Sequence, residues 1–173
     1  MTKLNLGSGD ERFEDYLLVD KYDKEAQLKL DVSNLSDIED DSIESIVAFQ
    51  VLEHVPYHLT DQTLKEWYRV LKPSGDIWIE VPDLYYAFKK VIDGDWEDWV
   101  IWNIWGQYHR PWDEQRYGKG CKFHKPSIHY QGFDFKRLKG LLEKTGFKKI
   151  RQITDIDQKH SHWKENLSVR AIK

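Results

Sequence analysis

The dipeptide Glu53-His54 closes the run "VAFQVLEHV". It sets a carboxylate beside the one side chain whose ordinary pKa lies near neutrality, so the pair could take a proton from a hydroxyl. The same two residues could instead cap or orient the segment that follows. A second group of candidates lies at the start of the chain. In "LNLGSGD", Leu4 to Asp10, two glycines one residue apart follow an apolar run, where a tight turn needs positive φ and a missing Cβ lets a ligand approach the backbone. A dinucleotide-binding turn would carry a third glycine at position 12, which is Arg12, and would open a helix holding a pyrophosphate. Asp10 and Glu11 would also repel phosphate oxygens. The turn therefore suits a nucleoside-like ligand without phosphate, above all one with positive charge. Asp20 and Asp31 follow two further apolar runs. Asp20 can accept both hydroxyls of a ribose; Asp31 can accept from an adenine amino group while the Val32 amide donates to the ring. Each aspartate alone also has an ordinary surface reading, which weighs more for Asp31 than for Asp20. Together with the glycine turn they describe a site for S-adenosylmethionine.

These residues need elements to hold them at one edge. Short apolar runs at Lys3 to Leu6, Tyr16 to Asp20, Leu28 to Val32 and about Ile46 to Gln50 read as strands. Leu64, Trp67, Tyr68 and Leu71 recur at helical spacing, with Thr60 as N-cap and "KPSG" as the stop. "DIWIEVP" is the next strand, then a helix that Asp83 caps and Gly94 ends. Asp134 caps a last helix that stops at Gly146, followed by strands at "KKIRQITD" and "NLSVRAIK". Strands joined by helix-length crossovers imply an α/β fold: a doubly wound, mostly parallel sheet, its last strand antiparallel. Such sheets bind ligands outside the carboxyl ends of their strands, where all these candidates fall.

The 173 residues fit one domain, and no apolar run is long enough to span a bilayer. A net charge of -4 with dispersed basic residues argues against nucleic acid as partner. The N-terminus has no signal-peptide pattern and the lone Cys121 cannot form an internal disulfide, so a cytoplasmic setting is expected.

"LNLGSGD", "LLVDKYD", "LDVSNL", "VAFQVLEHV" and "RVLKPSGDIWIEVPD" resemble, in order and spacing, the successive motifs of the class I S-adenosylmethionine-dependent methyltransferases. The likeness is to their small type-11-like group, with a Rossmann-like fold, and it covers about positions 3 to 83. "HYQGFDFKRLKGLLEKTGFKKI" is similar to that group's C-terminal helix and strand. The resemblance implies cofactor roles for Gly7, Gly9, Asp20, Asp31 and Gln50. Asn5 stands where an acidic residue is usual and keeps an acceptor oxygen for the cofactor's amino end; Glu11 replaces a third glycine. The chain starts at the first strand, without the leading helix that often covers the cofactor, so another segment is expected to close the site.

The segment 95–131 is the least family-like. Trp96, Trp99, Trp102 and Trp105 recur every three residues, which on a helix spreads them over half the circumference. Such a band could stack on sugars, fill core, or meet a second copy as a homodimer contact. The segment is expected to act as a lid or substrate insertion, with His109, His124 and His129 on the acceptor side. Cys121, His124 and His129 lack a convincing fourth ligand, so no metal is expected. The function expected is methyl transfer to a small acceptor such as a sugar or glycan precursor, with His54 as base beside Glu53. The rivals are a non-catalytic cofactor-binding module and, less favoured by Arg12, a dinucleotide-dependent oxidoreductase.

Overall fold

The computed structural model describes residues 2–9, 12–107, 127–154 and 165–173. Four strands run parallel: β1 (Lys3–Leu6), β2 (Leu17–Val19), β3 (Ile43–Phe49) and β4 (Leu71–Pro82). Two more follow near the C-terminus, β7 (Lys148–Gln152) and β8 (Asn166–Ile172), and β8 is antiparallel to both of its neighbours. The sheet order is β2-β1-β3-β4-β8-β7. A small antiparallel ladder, β5 (Gly106–Gln107) with β6 (Ser127–Ile128), stands apart from it. Among the described residues the α-helices are α1 (Thr60–Val70), α2 (Leu84–Ile92), α3 (Asp98–Trp105) and α4 (Phe135–Thr145).

Successive strand residues point to opposite faces, and the sequence fills the two faces differently. Leu4, Leu6, Ile46, Ala48, Ile77, Ile79, Leu167 and Val169 form the main core with Leu64, Trp67 and Val70 of α1 and Leu138 and Leu142 of α4. Val47, Phe49 and Trp78 form a second cluster, packed by Phe13 and Tyr16 from the short connection between β1 and β2. Phe13 meets Phe49 edge to face at 5.2 Å, and Phe49 meets Trp78 at 4.8 Å, a geometry that aligns ring edges with ring faces. That connection is too short for a crossover helix, and residues 12–16 form only a turn.

The expected strand over Leu28–Val32 is reduced to one parallel bridge, Val19 to Leu28. Its polar groups are engaged elsewhere: Asp31 folds onto the Ser33 amide and hydroxyl, and the Val32 carbonyl accepts from the Trp67 indole at 2.8 Å. Thr60 is the first residue of α1 rather than its N-cap, because its hydroxyl accepts from Gln131 at 2.7 Å. The "KPSG" stop loops out of the β3–β4 ladder, where Ile43 pairs with Leu71 but Ser45 already pairs with Asp76.

The other helix ends follow their residues. Asp83 accepts from the amides of Tyr85 and Tyr86; Asp134 accepts from Arg137 N at 2.7 Å; Gly146 closes α4 at φ 117°. Asp134→Ala is expected to destabilise the fold by about 1 kcal/mol, the usual worth of an N-cap, read as a shifted urea midpoint at constant slope.

Candidate functional site

The carboxyl ends of β1, β2 and β3 lie abreast, since Leu6 pairs with both Val19 and Ala48. Gly7 leaves β1 at φ 59° and Gly9 sits at φ 48°, backbone that a side chain rarely tolerates. The Gly7 amide donates to Val19 O at 2.7 Å, which ties the turn to β2. A Cβ on Gly7 would stand 2.6 Å from Val51 Cγ2, so the turn is pressed onto the residue that follows Gln50. Asn5 is buried just behind it.

Asp20 ends β2 and accepts from the amides of Tyr22 (2.7 Å) and Asp23 (2.9 Å), both through Oδ1. Arg12 reaches from the same rim to the Gly9 carbonyl and to Asp23 at 2.7 Å, so the residue standing where a dinucleotide site needs glycine braces the turn instead. Asp31 lies in the loop beyond the bridge. Burial opposes its ionisation, but hydrogen bonds from Ser33 and Lys21 outweigh that and hold its carboxyl below the usual range. Gln50 ends β3 exposed and at φ 54°, its amide donating to Glu80 O at 2.8 Å.

After Gln50 the chain makes a short 3-10 turn, Leu52–His54, and here the sequence candidates converge. Glu53 is 1% exposed, and neither carboxylate oxygen has a hydrogen-bond partner among the described residues. Burial pushes its carboxyl up to about 8, against the opposing pull of its own backbone amide and with the nearby Glu80 adding to the rise. The His54 ring turns Nδ1 to Ile128 O at 3.0 Å, and His129 turns Nδ1 to Asn103 O at 3.1 Å. A carbonyl has no proton to give, so each Nδ1 is the donor, and either ring, when neutral, carries its lone pair on Nε2. Burial, then the neighbouring His54, push His129 down to about 4, so it is neutral at physiological pH. The two rings meet edge to face at 5.0 Å, and His54 Nε2 stands 3.8 Å from Glu53 Oε1.

Backbone pairing makes this meeting possible. The β5–β6 ladder joins the two ends of the segment that follows α3, His129 N donates to Trp105 O, and Tyr130 N donates to Glu53 O at 2.9 Å. Gln131 then pins the segment, its amide donating to Leu52 O, Val55 O and the Thr60 hydroxyl while its oxygen accepts from Arg137. Of the three histidines expected on the acceptor side, His129 therefore reaches His54. His109 and His124 lie outside the described residues, as do Cys121, Asp10 and Glu11. Trp96, Trp102 and Trp105 are exposed, and Trp99 lies against Tyr86, so the band packs little core: Val100 is the buried residue of α3.

Two further residues shape the site without standing out in the sequence to the same degree. Glu80 carries a visible signal, a carboxylate between Ile79 and Val81 inside an apolar strand; it is buried and accepts from Asn166 at 2.9 Å. Gln131 carries none, being one amide among aromatics.

Residues 10–79 match the model of a family described as a methyltransferase domain. No curated protein matches the chain. Solved structures share its fold. A S-adenosylmethionine-dependent methyltransferase from Methanosarcina mazei is 18% identical with a TM-score of 0.63, the alignment covering 99% of this chain and 92% of that one. A methyltransferase from Thermotoga maritima described as a possible histamine N-methyltransferase is 17% identical, with a TM-score of 0.60 and coverage of 99% and 82%. A Burkholderia thailandensis 1,6-didemethyltoxoflavin-N1-methyltransferase, solved with its acceptor and S-adenosylhomocysteine, is 15% identical, with a TM-score of 0.59 and coverage of 99% and 70%. The fold is the Rossmann-like one that these methyltransferases share. With the match over residues 10–79, that fold makes the chain similar to the S-adenosylmethionine-dependent methyltransferases. Among the described residues no helix is long and apolar enough to cross a membrane.

Proposed function

We propose that the chain methylates a small, hydroxyl-bearing acceptor, a sugar or glycan precursor, held between the β3 carboxyl end and the segment after α3. The observation that carries this reading is the Glu53, His54 and His129 group, assembled from two distant stretches of chain, the first of which begins at the Val51 that the Gly7 turn packs against.

The cradle suits the cofactor. The Gly7 turn has no room for a side chain, Asn5 and Asp20 offer acceptor oxygens, and the Arg12 bracing leaves no glycine-lined helix start for a pyrophosphate. When bound, S-adenosylmethionine supplies an electrophilic methyl group. Asp20 takes the ribose hydroxyls through Oδ2, its Oδ1 being committed to the turn; Gln50 borders the methionine end; Asp31 and Val32 edge the adenine. His54, His129 and Glu53 face the acceptor and activate its hydroxyl, and the exposed faces of Trp102 and Trp105 give a sugar ring apolar surface to stack on.

The deciding experiment incubates the protein with methyl-labelled cofactor and a panel of sugar nucleotides, sugar phosphates and hydroxylated metabolites. Label in one of them, with S-adenosylhomocysteine released in equal amount, is expected. Label appearing only in protein or RNA from an extract would overturn the small acceptor. A second expectation concerns Asp20→Asn, which keeps the Oδ1 bonds of the turn but loses the charge. It should weaken S-adenosylhomocysteine binding by about 1.5 to 3 kcal/mol, the worth of hydrogen bonds to a charged acceptor. Unchanged calorimetric affinity would remove Asp20 from the ribose.

A further inference from the structure

We propose that Glu53, His54 and His129 form a binding site for a divalent transition-metal cation whose remaining positions accept oxygen donors of the acceptor.

The ligand-bearing atoms of the three residues all lie within 4.8 Å of one another. A cation with bonds of about 2.1 Å holds its ligand atoms roughly 3 to 4 Å apart, so closure asks for about 1 Å of side-chain movement. The His54 to Glu53 separation of 3.8 Å is already within that range. Both imidazoles are prepared in the way metal-binding histidines are. Each donates Nδ1–H to a backbone carbonyl, of Ile128 and of Asn103, which fixes the tautomer and leaves the lone pair on Nε2. These two carbonyls belong to the segments that the β5–β6 ladder and the His129 to Trp105 bond hold together, so the orientation is built into the backbone.

Glu53 supplies the independent argument. A carboxylate 1% exposed, with no side chain donating to either oxygen among the described residues and only its own backbone amide close by, is costly to bury, and burial of such a group calls for a cation or a proton. Its titratable neighbours include the His54 and His129 rings and the carboxylate of Glu80, and the last of these opposes a negative charge on Glu53. A divalent ion satisfies all three residues at once, and it explains why a second imidazole is brought to a place where a general base needs only one. Two nitrogen ligands and one carboxylate favour zinc, cobalt, manganese or iron over magnesium or calcium, which prefer oxygen throughout. A three-ligand set leaves positions open on the acceptor side. Two adjacent oxygens, as in a vicinal diol or a hydroxy acid, would fill them, which makes that pattern the expected mark of the acceptor. This last step rests on the methyl-transfer reading; the metal site itself does not.

The test uses cobalt(II) as probe on full-length, chelator-stripped protein. One equivalent per chain should bind and develop visible absorption bands, and acetohydroxamate, a small bidentate oxygen donor, should shift those bands by entering the open positions. Glu53→Gln, which keeps the side chain's shape, and His129→Ala should each lower cobalt affinity roughly a hundredfold or more. S-adenosylhomocysteine binding, followed calorimetrically in the same proteins, separates the two readings. Cofactor binding retained while the wild type takes up no cobalt overturns the metal and leaves methyl transfer standing. Cobalt binding that survives unchanged in Glu53→Gln overturns it too, since the ion then sits elsewhere, and this variant decides alone if His129→Ala does not fold. Bands that do not respond to acetohydroxamate overturn the open positions.

Discussion

A Gly7→Ala variant is expected to lose affinity for S-adenosylhomocysteine by roughly a hundredfold or more, read by calorimetry on folded protein. Two costs fall on the same methyl group. At φ 59° a Cβ collides with its own carbonyl, about 1 to 2 kcal/mol for an L-residue. The new carbon would also stand 2.6 Å from Val51 Cγ2, on a buried β-branched side chain with few rotamers to retreat into. The turn would escape both by leaving its present conformation, so binding would have to restore it. About 3 kcal/mol moved from folding to binding is two orders of magnitude in affinity. A partner variant tests the cause: Val51→Ala added to Gly7→Ala removes the collision but not the φ cost, and should recover about tenfold of the loss. No recovery would assign the whole effect to the backbone. Unchanged affinity in Gly7→Ala itself would take the glycine turn out of the cofactor site.

That turn is legible in the sequence because paired glycines at a strand end mark backbone with positive φ, open to close approach. The ends of α2 and α4 are legible for a similar reason: Asp83, Asp134 and Gly146 act through bonds to residues two to four positions away. Sequence and structure part where a distant residue competes for a local group. Thr60 has the chemistry of an N-cap, but Gln131, 71 positions on, takes its hydroxyl. Leu28 to Val32 has a strand's composition, yet it lies at the sheet edge, and Trp67 claims the Val32 carbonyl from across the core. The candidate site divides along the same line. Glu53 and His54 announce themselves as neighbours, whereas their meeting with His129 depends on a two-residue ladder and a glutamine that no periodicity marks. The spacing of the tryptophan band allows core, interface or stacking surface; its exposure at Trp96, Trp102 and Trp105 removes the first.

Trp67→Ala is expected to have the largest effect on stability, about 3 to 5 kcal/mol, as a lowered denaturant midpoint. The indole is fully buried, on the face of α1 that meets the sheet, in the cluster that also holds Leu4, Leu6 and Ile46. Truncation leaves a cavity that the neighbouring strands cannot collapse into without breaking register. It also orphans the Val32 carbonyl, which accepts from Nε1 at 2.8 Å. Trp67→Phe separates the two contributions, since it keeps much of the packing and loses the donor; it should cost about 1 to 3 kcal/mol, the penalty of an unsatisfied buried acceptor. The same bond links stability to the ligand edge. Val32 lies in the loop we propose for the adenine, and its carbonyl is anchored to α1 through this indole. Trp67→Phe is therefore expected to weaken adenosine-containing ligands while the response of the Glu53, His54 and His129 group to cobalt stays as in the wild type. Equal weakening of both would mean that the substitution loosens the whole sheet edge rather than the one loop.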